Sequence, residues 1–127
     1  MKATKAAEPK DTTYNGWTNY ETWCVKLWID NEQGSYDYWR ERTREVWDAA
    51  EADTILSRSQ RARYDLQEAL KDEHQEAAPE MVNVFGDLLG AALSEVDWRE
   101  IADSMLCDMA EGADESEDCR EYEGRDL

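Results

Sequence analysis

Acidic side chains at helical spacing are the most chemically loaded feature of this chain. Glu68, Asp72 and Glu76 recur every four residues, and Asp87, Glu95, Glu100, Asp103 and Asp108 are further outward candidates on the helical segments that follow. On a helix a four-residue step places carboxylates about 6 Å apart, close to the phosphate spacing along a nucleic-acid strand. A track of this kind repels nucleic acid and is drawn to a basic groove. Paired carboxylates also serve general acid–base chemistry or hold divalent metals. With 31 Asp and Glu among 127 residues, however, such pairs arise without any site behind them.

Other chemistry has less support. The single histidine, His74, lies among Asp72, Glu73 and Glu76 on a polar stretch, and its spacing predicts a solvated side chain and not a ligand. Cys24, Cys107 and Cys119 are too few and too scattered for a disulfide framework or a four-ligand zinc site. Cys24 and Cys107 read as small apolar residues within helices, and Cys119 as part of a polar tail. The run Asp114–Asp118 lacks the glycine and terminal glutamate of a calcium-binding loop. No phosphate-binding loop, dinucleotide fingerprint or nucleophile elbow occurs. The chain therefore predicts no enzyme, no cofactor and no metal. Six Trp and six Tyr suggest base stacking, but the charge sign opposes direct nucleic-acid binding. Trp23, Trp28, Trp39, Trp47 and Trp98 fall on helical stripes and predict core packing. Arg58, Arg61 and Arg63 form the one local basic cluster.

The net charge is -17, and it is unevenly spread. Residues 37–65 nearly balance, six Arg against seven acids, whereas residues 66–127 hold four basic and nineteen acidic residues. No apolar run reaches the roughly 20 residues of a membrane span, and no apolar signal core follows the N-terminus. A cytoplasmic protein without membrane contact is the expectation. The length suits one core, for which an apolar fraction of 41% suffices.

The elements that would position the acids read as helices, and no segment reads as a strand. Residues 1–13, with Pro9, predict a flexible leader, and residues 14–112 a compact all-α bundle of about five helices. Thr18 and Glu21 have the spacing of a capping box ahead of a helix to Asn31, with Tyr20, Trp23, Cys24, Leu27 and Trp28 inward and Gly34 as its left-handed cap. Ser35 caps a second helix along Tyr36, Trp39, Thr43, Val46, Trp47 and Ala50. A third, from about Ser57 to Gln75, has thin apolar content, so it predicts a place at the edge of the bundle. Pro79 opens a fourth, through Met81, Val82, Val84, Phe85, Leu88, Leu89, Ala92 and Leu93. Being the most hydrophobic, it predicts the central helix, with Gly86 and Gly90 admitting a close neighbour. Ser94 with Asp97 caps a fifth along Trp98, Ile101, Ala102, Met105, Leu106 and Met109, ended by Gly112. Residues 113–127 predict an acidic tail.

The stretch Tyr14-Asn15-Gly16-Trp17-Thr18-Asn19-Tyr20-Glu21-Thr22-Trp23, with Leu27-Trp28, resembles a motif of small, largely uncharacterised proteins of phages and mobile elements. It covers about a sixth of the chain, and those proteins commonly carry Asn at the position of Cys24. The resemblance implies a setting in which small acidic proteins counter host defences, by analogy with anti-restriction and anti-CRISPR proteins that imitate DNA. The leading expectation is thus a nucleic-acid mimic, monomeric or a small homo-oligomer. Glu68, Asp72, Glu76, Asp87, Glu95, Glu100, Asp103 and Asp108 would meet a basic nucleic-acid-binding protein, such as a nuclease or CRISPR effector, in the host cytoplasm. The alternative is an acidic adaptor whose charge reflects solubility or salt adaptation.

Overall fold

The computed structural model describes residues 11–112, and the leader over 1–10 and the tail over 113–127 lie outside the described residues. Five helices follow one another: α1 Tyr20–Asn31, α2 Gln33–Ala49, α3 Arg58–Ala77, α4 Val84–Ser94 and α5 Trp98–Gly112. The all-α bundle expected from periodicity is the fold. Among the described residues the one β-type pairing is an isolated bridge from Tyr14 to Trp17. It closes a tight turn in which Asn15 (φ 47°) and Gly16 (φ 89°) are both left-handed, the conformation that favours an Asn-Gly pair.

The core lies where α3 and α5 pack against each other and against α2. Ser59, Ala62, Leu66 and Leu70 of α3 follow one continuous helical stripe and are buried. They meet Trp98, Ile101, Ala102, Met105 and Leu106 of α5, and Trp39, Val46, Trp47 and Ala50 join from α2. Each fully buried Leu or Ile here stabilises the fold by about 1.5–3 kcal/mol. The third helix is therefore central and not the edge. A narrow stripe kept in phase over 20 residues buries more than a rich but unphased one.

The converse correction falls on α4. Only Leu93 of this helix packs on the core, and Val84 (60%), Phe85 (61%) and Leu88 (60%) face solvent. Its apolar residues spread over more than half of its circumference, with Gly86, Asp87, Gly90 and Ser94 on the remainder, so composition marked it as central while the wide apolar arc left open which part of it would be buried. It also starts later than Pro79 suggested: Asn83 is the N-cap, accepting from the amides of Phe85 and Gly86. Gly86 is close-packed within the chain, for a Cβ there would collide with the Met81 carbonyl oxygen, whereas around Gly90 there is open space.

Several caps differ from expectation for one reason: another side chain reaches the free amides first. Asn19, not Thr18, caps α1, accepting from the Thr22 amide at 2.9 Å. Glu32 alone separates α1 from α2 and caps the latter by accepting from Ser35 N, so Gly34 and Ser35 lie in the first turn of α2. The described left-handed glycine is Gly16, not Gly34. At α3 the Ser57 and Gln60 side chains form a reciprocal box. At α5 the Asp97 carboxylate accepts from Glu100 N, while Ser94 turns back to the Ala91 carbonyl.

Candidate partner-binding surface

The first helix carries the distinctive motif, and its polar residues fasten it to the start of α5. Asn19 Oδ1 accepts from both the amide and the hydroxyl of Thr22, and Asn19 Nδ2 donates to the Glu95 carbonyl at 2.7 Å. The hydroxyl of Thr22, fully buried, accepts from Asp97 N at 2.8 Å. Thr18 N donates to Glu100 Oε1 at 3.0 Å. Two helix starts thereby satisfy each other's free amides.

This docking rotates α1 away from the expected inward face, leaving Trp23, Cys24 and Leu27 half-buried. Its buried residues are Thr22, Lys26 and Ile29, while Tyr20 is exposed and Trp28 is 67% exposed. Tyr14, Tyr20 and Trp23 cluster on the outer side with ring centroids 4.8–5.4 Å apart. Apolar residues surround α1, so sequence periodicity could not choose its face. The buried polar Thr22 could. Trp39, Trp47 and Trp98 are core residues as expected.

His74 is not the solvated side chain its neighbours suggested. Its ring is half-buried between Trp39 and Trp98, with centroids at 5.8 and 5.3 Å. Nδ1 lies 2.8 Å from the Leu70 carbonyl; because a carbonyl only accepts, Nδ1 carries the proton. The helix turn at residues 70–74 brings the ring back over its own backbone, which charge pattern alone did not reveal.

The arginines are largely engaged within the chain. Arg58 lies 4.0 Å over the Trp47 ring and donates to the Trp47 carbonyl. Arg61 pairs with Asp53 and Asp65, and Arg63 with Asp103. The expected basic cluster is thus three separate attachments between elements. Glu73 accepts from Tyr38 Oη at 2.7 Å and from Arg42 Nε at 3.3 Å, tying α2 to α3. The hydrogen bond to Glu73, with some desolvation, raises the Tyr38 phenol above its usual value of 10.

The eight acids expected to form a binding track divide into two sets. Glu100 holds Thr18 N, Asp103 pairs with Arg63 at 3.6 Å, and half-buried Glu68 accepts from Gln67. Asp72, Glu76, Asp87, Glu95 and Asp108 are exposed and form no ion pair among the described residues. Asp72 and Glu76 share one face of α3 a turn apart. Asp87 lies on α4 and Glu95 at its C-terminal cap. Asp108 lines a cleft of about 530 Å³ between α1, α2 and α5, whose lining holds the cations Lys26, Arg40 and Arg44 and also the acids Asp30, Asp37 and Glu41. In that cleft Lys26 Nζ lies 2.6 Å from Asp30 Oδ2.

Among the described residues no three His, Cys, Asp or Glu side chains converge in a way that could hold a metal ion. No described helix is long and apolar enough to cross a membrane. No curated protein and no solved structure matches this chain. A family model matches residues 10–123, nearly the whole chain, and the protein belongs to that family, a family of unknown function designated DUF7249.

Proposed function

We propose that this protein is an acidic binding protein that imitates nucleic acid and occupies the nucleic-acid-binding face of a basic partner. The observation carrying this reading is how unevenly the charges are compensated. Residues 11–112 hold nine basic and twenty-three acidic residues, a net charge of -14. Six of the nine cations are engaged by carboxylates or aromatic rings of the chain itself. The exposed Asp72, Glu76, Asp87, Glu95 and Asp108 are left to project an uncompensated negative field, which steers a cationic groove and repels a polyanion. The motif's likeness to phage and mobile-element proteins adds a setting in the host cytoplasm, with a defence nuclease or CRISPR effector as the kind of partner. Glu68, Glu100 and Asp103 then act through the fold.

The test is affinity capture from host lysate with the full chain as bait, followed by elution with duplex DNA. The comparison bait carries Asp72→Asn, Glu76→Gln, Glu95→Gln and Asp108→Asn, which removes four charges at constant size. DNA should release the captured protein from the wild-type bait, and the four-amide bait should capture much less, with both effects fading as salt rises. Captured proteins that DNA does not displace, held equally by both baits, would defeat the mimic reading and leave the acidic adaptor in its place.

A further inference from the structure

The helix with the highest apolar content in the bundle turns most of its surface to solvent. Along α4, Val84, Leu88 and Ala91 form one exposed stripe, with Phe85 beside it and Val82, fully exposed, just ahead. Met81, Val82, Val84, Phe85 and Leu88 together expose roughly 500 Å², at the upper end of the largest apolar patch on a typical monomer. Beside them runs a shallow groove of about 380 Å³, lined by Ala78, Met81, Gly86, Leu89, Gly90 and Leu93. In a molecule of net charge -17, residues 81–94 contain one charged side chain, Asp87, and Glu80 is the one charged residue lining the groove.

From these features we propose that α4 is a homodimer interface, in which a second copy of this chain packs its own α4 against the first across a two-fold axis. The occupant must be apolar, because this face has almost no charge to offer a cationic partner. Residues 1–10 supply little apolar surface, and residues 113–127 hold seven acids, so neither terminus has the composition to cover it. A second copy brings an equal apolar stripe, and the pair then covers about 1,000 Å², the size at which a specific interface begins. Two-fold pairing is self-complementary: Phe85 of each copy enters the groove of the other, and the open space at Gly90 lets the helices approach closely. The association also keeps the two acidic bodies in contact only where their charge is lowest.

That geometry sets the sign of the salt effect. Dimerisation brings like net charges together over an apolar contact, so it strengthens as salt screens the repulsion, whereas capture of a basic partner weakens. The test is sedimentation and light scattering on the full chain over a concentration series, at about 0.05 M and about 1 M salt. The wild type should approach twice the monomer mass, with a lower dissociation constant at high salt. Phe85→Glu and Leu88→Glu should raise that constant at least about tenfold, with far-ultraviolet circular dichroism unchanged. Val84→Glu is the control against unfolding. It puts a carboxylate in the first turn, where the helix dipole favours one, yet charges the interface. A wild type that stays monomeric at both salts would overturn the proposal and leave the face to a foreign partner. So would a dimer that survives all three substitutions, or one that salt dissociates.

Discussion

Replacing Thr22 by Val changes the chain by a single hydroxyl at constant shape, and that hydroxyl is where α1 and α5 are joined. It donates to Asn19 Oδ1 at 2.6 Å and accepts from Asp97 N at 2.8 Å, in a fully buried position. Losing two hydrogen bonds costs about 1 kcal/mol each, and leaving the partly buried Asp97 amide without its acceptor adds at least as much again, for about 3 kcal/mol in all. In a domain of about 100 residues this lowers the melting temperature by roughly 12–20 °C. Thr22→Ser keeps both bonds and loses one buried methyl, so it should cost about 1 kcal/mol. The assay is urea unfolding followed by tryptophan fluorescence and checked by thermal circular dichroism. A cycle with Asn19→Ala measures how much of the loss passes through the shared bond. Thr22→Val unfolding within about 0.5 kcal/mol of the wild type would show that the helix starts are held by packing and that this network is incidental.

Two further outcomes follow from local geometry. At protein concentrations low enough for monomer, Gly90→Ala should stabilise by up to about 1 kcal/mol through helix propensity. Gly86→Ala should instead destabilise by about 1–3 kcal/mol, because its methyl meets the Met81 carbonyl; thermal melts in which both glycines tolerate alanine equally would refute the close approach. Asp53 accepts from the amides of Leu56 and Ile55 and pairs with Arg61, which holds its carboxyl below the usual carboxylate value. Because the folded form binds its proton less readily, the stability it contributes is present above the unfolded pKa of about 3.9 and is lost as pH falls through the lower folded value. Carbon-detected nuclear magnetic resonance should place the Asp53 midpoint below those of exposed carboxylates, and an ordinary midpoint would contradict the turn geometry.

The sequence by itself determined the helical class, the approximate extents of α2, α3 and α5, and which of their residues are inward, except that Tyr36, expected on the inward stripe, lies exposed in the first turn of α2. Each has a polar side and one apolar stripe in phase with the helix, so burial has only one solution. It also determined the acidic imbalance, since charge is a property of composition and not of fold. Tertiary structure decided what periodicity left degenerate. In α1 apolar residues lie on nearly every side and in α4 they span more than half the circumference, so which face is inward depends on what the neighbouring helices offer. For α1 the answer came from a polar residue, Thr22, whose hydroxyl satisfies the start of α5 and turns Tyr20 and Trp28 outward. For α4, richness in Leu and Val looked like centrality, but α2, α3 and α5 already close the core among themselves. The acidic track divided in the same way. Spacing along a helix identifies which carboxylates share a face, but only packing brings Arg63 to Asp103 and the Thr18 amide to Glu100; with Glu68 held by Gln67, that takes three of the eight and leaves Asp72, Glu76, Asp87, Glu95 and Asp108 exposed without ion pairs among the described residues.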